Sequence, residues 1–136
     1  MVLPPESLTN TSVAARLMNA VNEKLTNDLI QKQNLVYLEL NGCSGNIISL
    51  LNGEDPDFAY ALNSMVNLRY SNSLMVPKGN QAIEQLMNAI DKDFILAVEG
   101  AVALKNNGLY NVIGSYQGKP LTGLQAISML GEKATI

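Results

Sequence analysis

Apolar and polar residues alternate from Val36 to Leu40. Val36, Leu38 and Leu40 fall on one face and Tyr37 and Glu39 on the other, a period of two that predicts a β-strand bounded by Asn34 and Asn41. Asn41-Gly42 stops the strand. Gly42 and Gly45 then bracket Cys43 and Ser44, so the backbone can turn sharply and come close to a bound group. Past Asn46, the positions Ile47, Ile48, Leu50 and Leu51 fit a turn and a half of buried helix, with Asn46 a candidate cap. The free amides of that helix would point back at the loop, which suits an anionic or metal-containing ligand.

The same reading extends along the chain. Pro4 and Pro5 make a stiff start, and Thr11 or Ser12 caps a predicted helix that runs to about Gln31. Its apolar stripe is Val13, Leu17, Val21, Leu25 and Leu29, which packs on its own domain or on another subunit. Its polar face is rich in Asn and lacks the basic character of a helix lying on a membrane. After a turn at Gly53 to Asp57 come a brief helix from Phe58 to Ser64, a second strand through Met65, Val66, Leu68 and Tyr70, and a helix from Gln81 to Ile90. Phe94 to Val98 is a continuous apolar strand, the pattern of one covered on both faces, and it ends in Glu99-Gly100. Asn106-Asn107-Gly108 is a turn, Tyr110 to Gly114 an extended piece, and Leu121 to Leu130 a helix closed by Gly131. Ala134-Thr135-Ile136 has the composition of a starting strand.

Strands near Val36, Val66 and Ile95 recur about 30 residues apart with helices between them, which predicts an α/β fold with a parallel sheet and helices on both faces. Ligands of such sheets lie beyond the carboxyl ends of the strands, which would bring the Cys43 loop and Glu99 to one rim. The expected organisation is an amino-terminal extension over 1–33, carrying the amphipathic helix, followed by one domain over 34–136.

Composition narrows the function. The 136 residues suit a single domain, and 47% are hydrophobic against only 15% charged, so some apolar surface is expected to be covered by a partner chain. Nine basic and twelve acidic residues, with no Lys/Arg cluster, offer no footprint for nucleic acid. A single cysteine excludes an internal disulfide, and the lack of histidine excludes His-based catalysis and His ligation. The amino terminus has no basic region followed by an apolar core, and no apolar run approaches the ~20 residues of a membrane span. The expectation is a chain neither secreted nor membrane-spanning.

The segments LELNGCSGNIISLLN, NLRYSNSLMVPKGNQAIEQL, FILAVEGAV and NNGLYNVIGSYQGKP, in that order, resemble the amino-terminal, flavodoxin-like half of the small subunit of nickel-iron hydrogenases. The match runs from residue 35 to 136. In that family the loop after the first strand usually carries Cys-x-x-Cys, two of four ligands to a 4Fe-4S cluster, and an acid-glycine pair ends the third strand. Cys43 and Glu99-Gly100 match, and Gly42, Ser44 and Gly45 build the loop. Asn46 stands at the second cysteine, in a Cys-Ser-Gly-Asn version similar to a subgroup of uptake-type enzymes. Tyr110 and Asn111 fall where the family often has an aromatic residue and a cysteine, and are read as packing. The electron-transfer small subunit of respiratory complex I is a more distant relative.

The resemblance implies an electron-transfer subunit with no catalytic residue of its own, relaying electrons between a large-subunit nickel-iron site and an external carrier protein. It implies cluster ligation by Cys43, with Glu99 and Gly100 close to the cluster. The family's remaining cluster cysteines come later, one of them past a strand that begins like Ala134-Thr135-Ile136, so the carboxyl part of the domain is expected to be missing. A 4Fe-4S cluster is therefore expected in the intact protein and none in these 136 residues alone. The family's exported small subunits carry a twin-arginine signal, which this amino terminus lacks, implying a cytoplasmic protein. Two other readings stay open. Ser44-Gly45-Asn46 at a strand-to-helix turn also resembles a flavodoxin phosphate loop, which suggests a flavin- or phosphate-binding module, and a cofactor-free docking scaffold is the third.

Overall fold

A computed structural model describes residues 32–135. The amphipathic helix expected up to Gln31 and the final residue Ile136 lie outside the described residues. The element order is β1 (Gln33–Glu39), α1 (Gly45–Leu51), α2 (Phe58–Tyr60), β2 (Val66–Ser71), α3 (Asn80–Ile90), β3 (Ile95–Glu99), β4 (Val112–Tyr116), β5 (Lys119–Thr122) and α4 (Gly123–Gly131). The protein is a mixed α/β fold built on a parallel sheet.

Strands β1, β2 and β3 form that sheet in the order β2-β1-β3, with β1 central and parallel to both neighbours. Position shows in the burial: Val36 and Leu38 of β1 are fully buried, whereas the flanking strands carry partly exposed positions such as Asn67, Arg69 and Val98. The apolar run of β3, expected to be covered on both faces, is only partly covered, with Val98 39% exposed, because β3 lies at the edge of the sheet among the described residues. The β1–β2 register slips between Leu35 and Val36, which pair with Leu68 and Tyr70, so Arg69 occupies a β-bulge.

Helix α3 buries Ile83, Leu86 and Ala89, and Ala82, Met87 and Ile90 pack beside them, the face expected from its 3.6-residue period. These side chains meet Val36, Leu38, Tyr70, Phe94, Leu121, Ala126 and Leu130 in one apolar core. The core thus lies on the Val36–Leu38 side of the sheet. Tyr37 and Glu39 lie on the other side, as alternation along a strand requires.

The Tyr110 to Thr122 region departs from expectation. A single extended piece was expected, but β4 and β5 form an antiparallel hairpin closed by Gln117 and Gly118 at φ 51° and 75°. Two consecutive positive φ values match a primed hairpin turn, and Gln is an unusual residue for the first of them, so the sequence carries only the glycine half of the signal. The expected helix start at Leu121 shifts to Gly123 because Thr122 ends β5 and caps α4. Its hydroxyl accepts from Gln125 N–H while the Gln125 side chain accepts from Thr122 N–H, a full capping box. Beyond α4, Thr135 N–H donates to the Phe94 carbonyl at 2.9 Å, so the chain runs back beside the start of β3.

Candidate functional site

The carboxyl rim of the sheet carries the residues singled out above. β1 ends at Glu39 and β3 at Glu99, which are cross-strand partners. Leu40 N–H donates to the Glu99 carbonyl at 2.9 Å, and Asn41 and Ala101 exchange backbone hydrogen bonds of 3.2 and 2.8 Å. This short bridge holds the start of the Cys43 loop against the end of β3. Gly100 makes it possible. Its φ is 87°, and a Cβ there would lie 2.7 Å from the Asn41 carbonyl oxygen, so only glycine allows the two chains so close. Gly42 packs on Gly100, and a Cβ on Gly42 would sit 4.0 Å from Glu99 Oε1. Gly42 and Glu99 therefore share the same corner of the rim.

Cys43 is exposed and its thiol is free. Ser44 adopts a left-handed conformation at φ 58° and is the residue from which α1 starts, without a capping bond from its side chain. A Cβ on Gly45 would stand 3.2 Å from Cys43 Sγ, so the missing side chain leaves room beside the sulfur. Two expectations are corrected here. Asn46 is not a cap: α1 begins one residue earlier, at Gly45, and Asn46 is an exposed residue within the first turn. Nor is α1 a buried helix. Only Ile47 is buried, while Ile48, Leu50 and Leu51 are 55%, 44% and 47% exposed. Asn46 instead lines a cavity of about 490 Å³ with Ser49, Leu50, Gly53, Pro56 and Phe58.

Tyr37 is the site-forming residue that strand alternation alone left as a generic outer-face position. Its hydroxyl donates a short hydrogen bond to Glu99 Oε2, and both residues are buried. Burial, the Glu99 hydrogen bond and the negative field of Glu99 and Glu39 push the Tyr37 phenol up to about 12, so it stays a donor. Glu39 has separate partners. Its carboxylate accepts from Ser71 Oγ at 3.0 Å, Ser73 N–H at 2.9 Å and Ser73 Oγ at 2.5 Å. Two like charges on adjacent strands would repel, and separate donor sets for each offset that cost. The signal was present in the sequence as Tyr37, Glu39 and Glu99 on one face, but pairing them required the register of β1 against β3.

Tyr110, expected to pack, is 65% exposed, its hydroxyl accepting from Asn106 Nδ2 at 3.1 Å. Asn111 is half-buried against Gly123, and its amide nitrogen has no hydrogen-bond partner.

The donor set can be weighed against an iron-sulfur cluster. Around the loop stand one thiol, the Asn46 carboxamide and the Glu99 carboxylate, and no group of three or more His, Cys, Asp or Glu side chains able to hold a metal gathers among the described residues. A four-iron cluster takes four protein ligands, usually thiolates, so the residues present do not hold one by themselves.

A β2-β1-β3 parallel sheet with a glycine-rich loop and an acid-glycine pair at its carboxyl rim defines an open parallel α/β protein with its candidate site where the strand order reverses. Comparison with known proteins narrows the class. No protein-family model matches the chain. It is 28% identical over 102 residues to the Hydrogenase-2 small chain of Escherichia coli K12, covering 73% of this chain and 26% of that one. It is 30% identical over 115 residues to the uptake hydrogenase small subunit of Afipia carboxidovorans, covering 81% of this chain and 30% of the other. Among solved structures, the recombinant [NiFeSe] hydrogenase of Desulfovibrio vulgaris Hildenborough in its oxidised state superposes with a TM-score of 0.73 at 27% identity, over 76% of this chain and 38% of that one. The chain is thus a relative of hydrogenase small subunits, and it spans about 30% or less of the length of these two curated relatives.

Proposed function

We propose that this chain is the flavodoxin-like part of the electron-transfer small subunit of a nickel-iron hydrogenase, an oxidoreductase acting on hydrogen. The observation that carries the reading is the meeting of the Cys43 loop with Glu99-Gly100 at the carboxyl rim, in a chain similar to hydrogenase small subunits. Hydrogen turnover belongs to a separate large subunit, and an electron-carrier protein exchanges electrons with this one. The partner covers the apolar side chains that follow the loop: Ile48, Leu50 and Leu51 are all more than 40% exposed, which is costly to leave in water.

Within this assignment Cys43 is the one soft donor the chain contributes to iron, and the remaining donors of a 4Fe-4S cluster come from outside residues 1–136. Tyr37 holds the Glu99 carboxylate, and Gly42, Gly45 and Gly100 keep side-chain atoms out of the corner next to the sulfur. The proposed compartment is the cytoplasm.

The test is anaerobic purification from the native host through a tag on this protein. A second, larger polypeptide should copurify, with nickel, iron and hydrogen-dependent dye reduction. Cys43→Ser should lose most of the iron-linked visible absorbance, and Asn46→Cys should keep it. A yellow flavin spectrum, an active monomer, or iron content unchanged in Cys43→Ser would overturn the assignment.

A further inference from the structure

A second concave site lies toward the amino end of the sheet, away from the Cys43 loop at its carboxyl rim. Between β2 and the last turns of α3, Leu68, Arg69, Gln85, Asn88, Ala89 and Lys92 line a cavity of about 430 Å³. Because α3 runs antiparallel to the strands, its carboxyl end brings Asn88 and Lys92 to the side of the sheet where Asn34 begins β1. No acidic side chain is among the lining residues.

The arginine is held in place by the fold. The β-bulge that places Arg69 between the Leu35–Leu68 and Val36–Tyr70 pairs frees it from the regular ladder, and bulges commonly re-aim a side chain in this way. Asn34 then fixes its direction. Asn34 Nδ2 donates to the Asp93 carbonyl at 2.8 Å, which leaves Oδ1 to accept from Arg69 Nε at 2.7 Å. With Nε engaged, the guanidinium keeps its two terminal amino groups as a planar pair of donors. Among the described residues neither these nor the Lys92 ammonium has a hydrogen-bond or ion-pair partner.

We propose that this cavity binds a small oxyanion, a phosphate or a carboxylate, with Arg69 as the bidentate donor and Lys92 as the second charge. The chemistry follows from the donor set: a pre-oriented guanidinium matches two oxygens of a planar or tetrahedral oxyanion, and an ammonium supplies charge without demanding geometry. Gln85 and Asn88 provide amide groups for further oxygens or hydroxyls of the same ligand. The carbonyl end of α3 opposes an anion there, which makes both cations necessary. The volume admits a ligand larger than inorganic phosphate, such as a phosphorylated or dicarboxylic metabolite.

The experiment is calorimetric titration of the full chain at low ionic strength with inorganic phosphate and, separately, with succinate, against sodium chloride of matched ionic strength. Saturable binding of one equivalent of phosphate, succinate or both, absent with chloride, is the expected result, and which of the two binds identifies the source of the oxyanion. Arg69→Gln and Lys92→Gln should each weaken binding about tenfold or more, while Lys78→Gln, before the amino end of α3, leaves it unchanged. Lys92 is exposed, so its variant reports even where Arg69→Gln disturbs β2. No saturable binding of either anion, or binding of equal strength in Lys92→Gln, overturns the proposal.

Discussion

At the scale of single residues, the rim is sensitive where side-chain atoms are forbidden or where a buried charge has one partner. Gly100→Ala forces a Cβ to 2.7 Å from the Asn41 carbonyl at a φ of 87°, and should cost about 1–3 kcal/mol in urea unfolding. Gly79→Ala is the control. Its φ is also positive, at 58°, but nothing lies within 4 Å, so it should cost about 1–2 kcal/mol from conformation alone. Tyr37→Phe removes the donor to Glu99 and leaves a buried carboxylate one partner short, a loss of about 1–3 kcal/mol at neutral pH. The phenol also sets a pH dependence. Its pKa is raised in the folded state from 10.0 to about 12, so its contribution is complete below pH 10 and is lost as pH rises toward 12. Wild-type stability should therefore fall across that window more steeply than that of Tyr37→Phe, as read from unfolding midpoints at pH 9, 10 and 11.

At the scale of elements, helices are held by packing and caps whose signals lie within a few residues. Leu86 is fully buried where α3 meets the sheet, and Leu86→Ala should cost about 2–5 kcal/mol, whereas Glu84→Ala on the exposed face should stay within about 0.5 kcal/mol. Thr122→Ala breaks the capping box of α4 and should cost about 0.5–2 kcal/mol, measured by chemical denaturation. The three parallel strands and α3 were legible because apolar periods of 2 and 3.6 are local properties. The β4–β5 hairpin was not. Its turn uses Gln117 in a left-handed conformation, which no composition rule favours, and Pro120 lies within β5, where a proline usually argues against a strand.

At the scale of the whole molecule, the exposed apolar side chains of α1 add little to the core, and the proposed assignment places them against a partner. Ile48→Ser together with Leu51→Ser should leave the unfolding midpoint nearly unchanged while lowering recovery of the proposed large subunit in copurification at least several-fold. Equal recovery would remove α1 from that interface. The sequence by itself determined the parallel α/β class, the glycine-rich turn around Cys43 and the acid-glycine end of β3, since alternation, glycine spacing and residue order need no partner to be read. It also set the limit of one thiolate. Only the tertiary structure decided what meets what at the rim. That Tyr37 serves Glu99 while Ser71 and Ser73 serve Glu39 depends on strand register, and register is a long-range choice made by burying Val36 and Leu38. The exposure of α1 and the bulge at Arg69 have the same origin: each follows from where the neighbouring elements pack, a relation between residues distant in sequence that no local pattern carries.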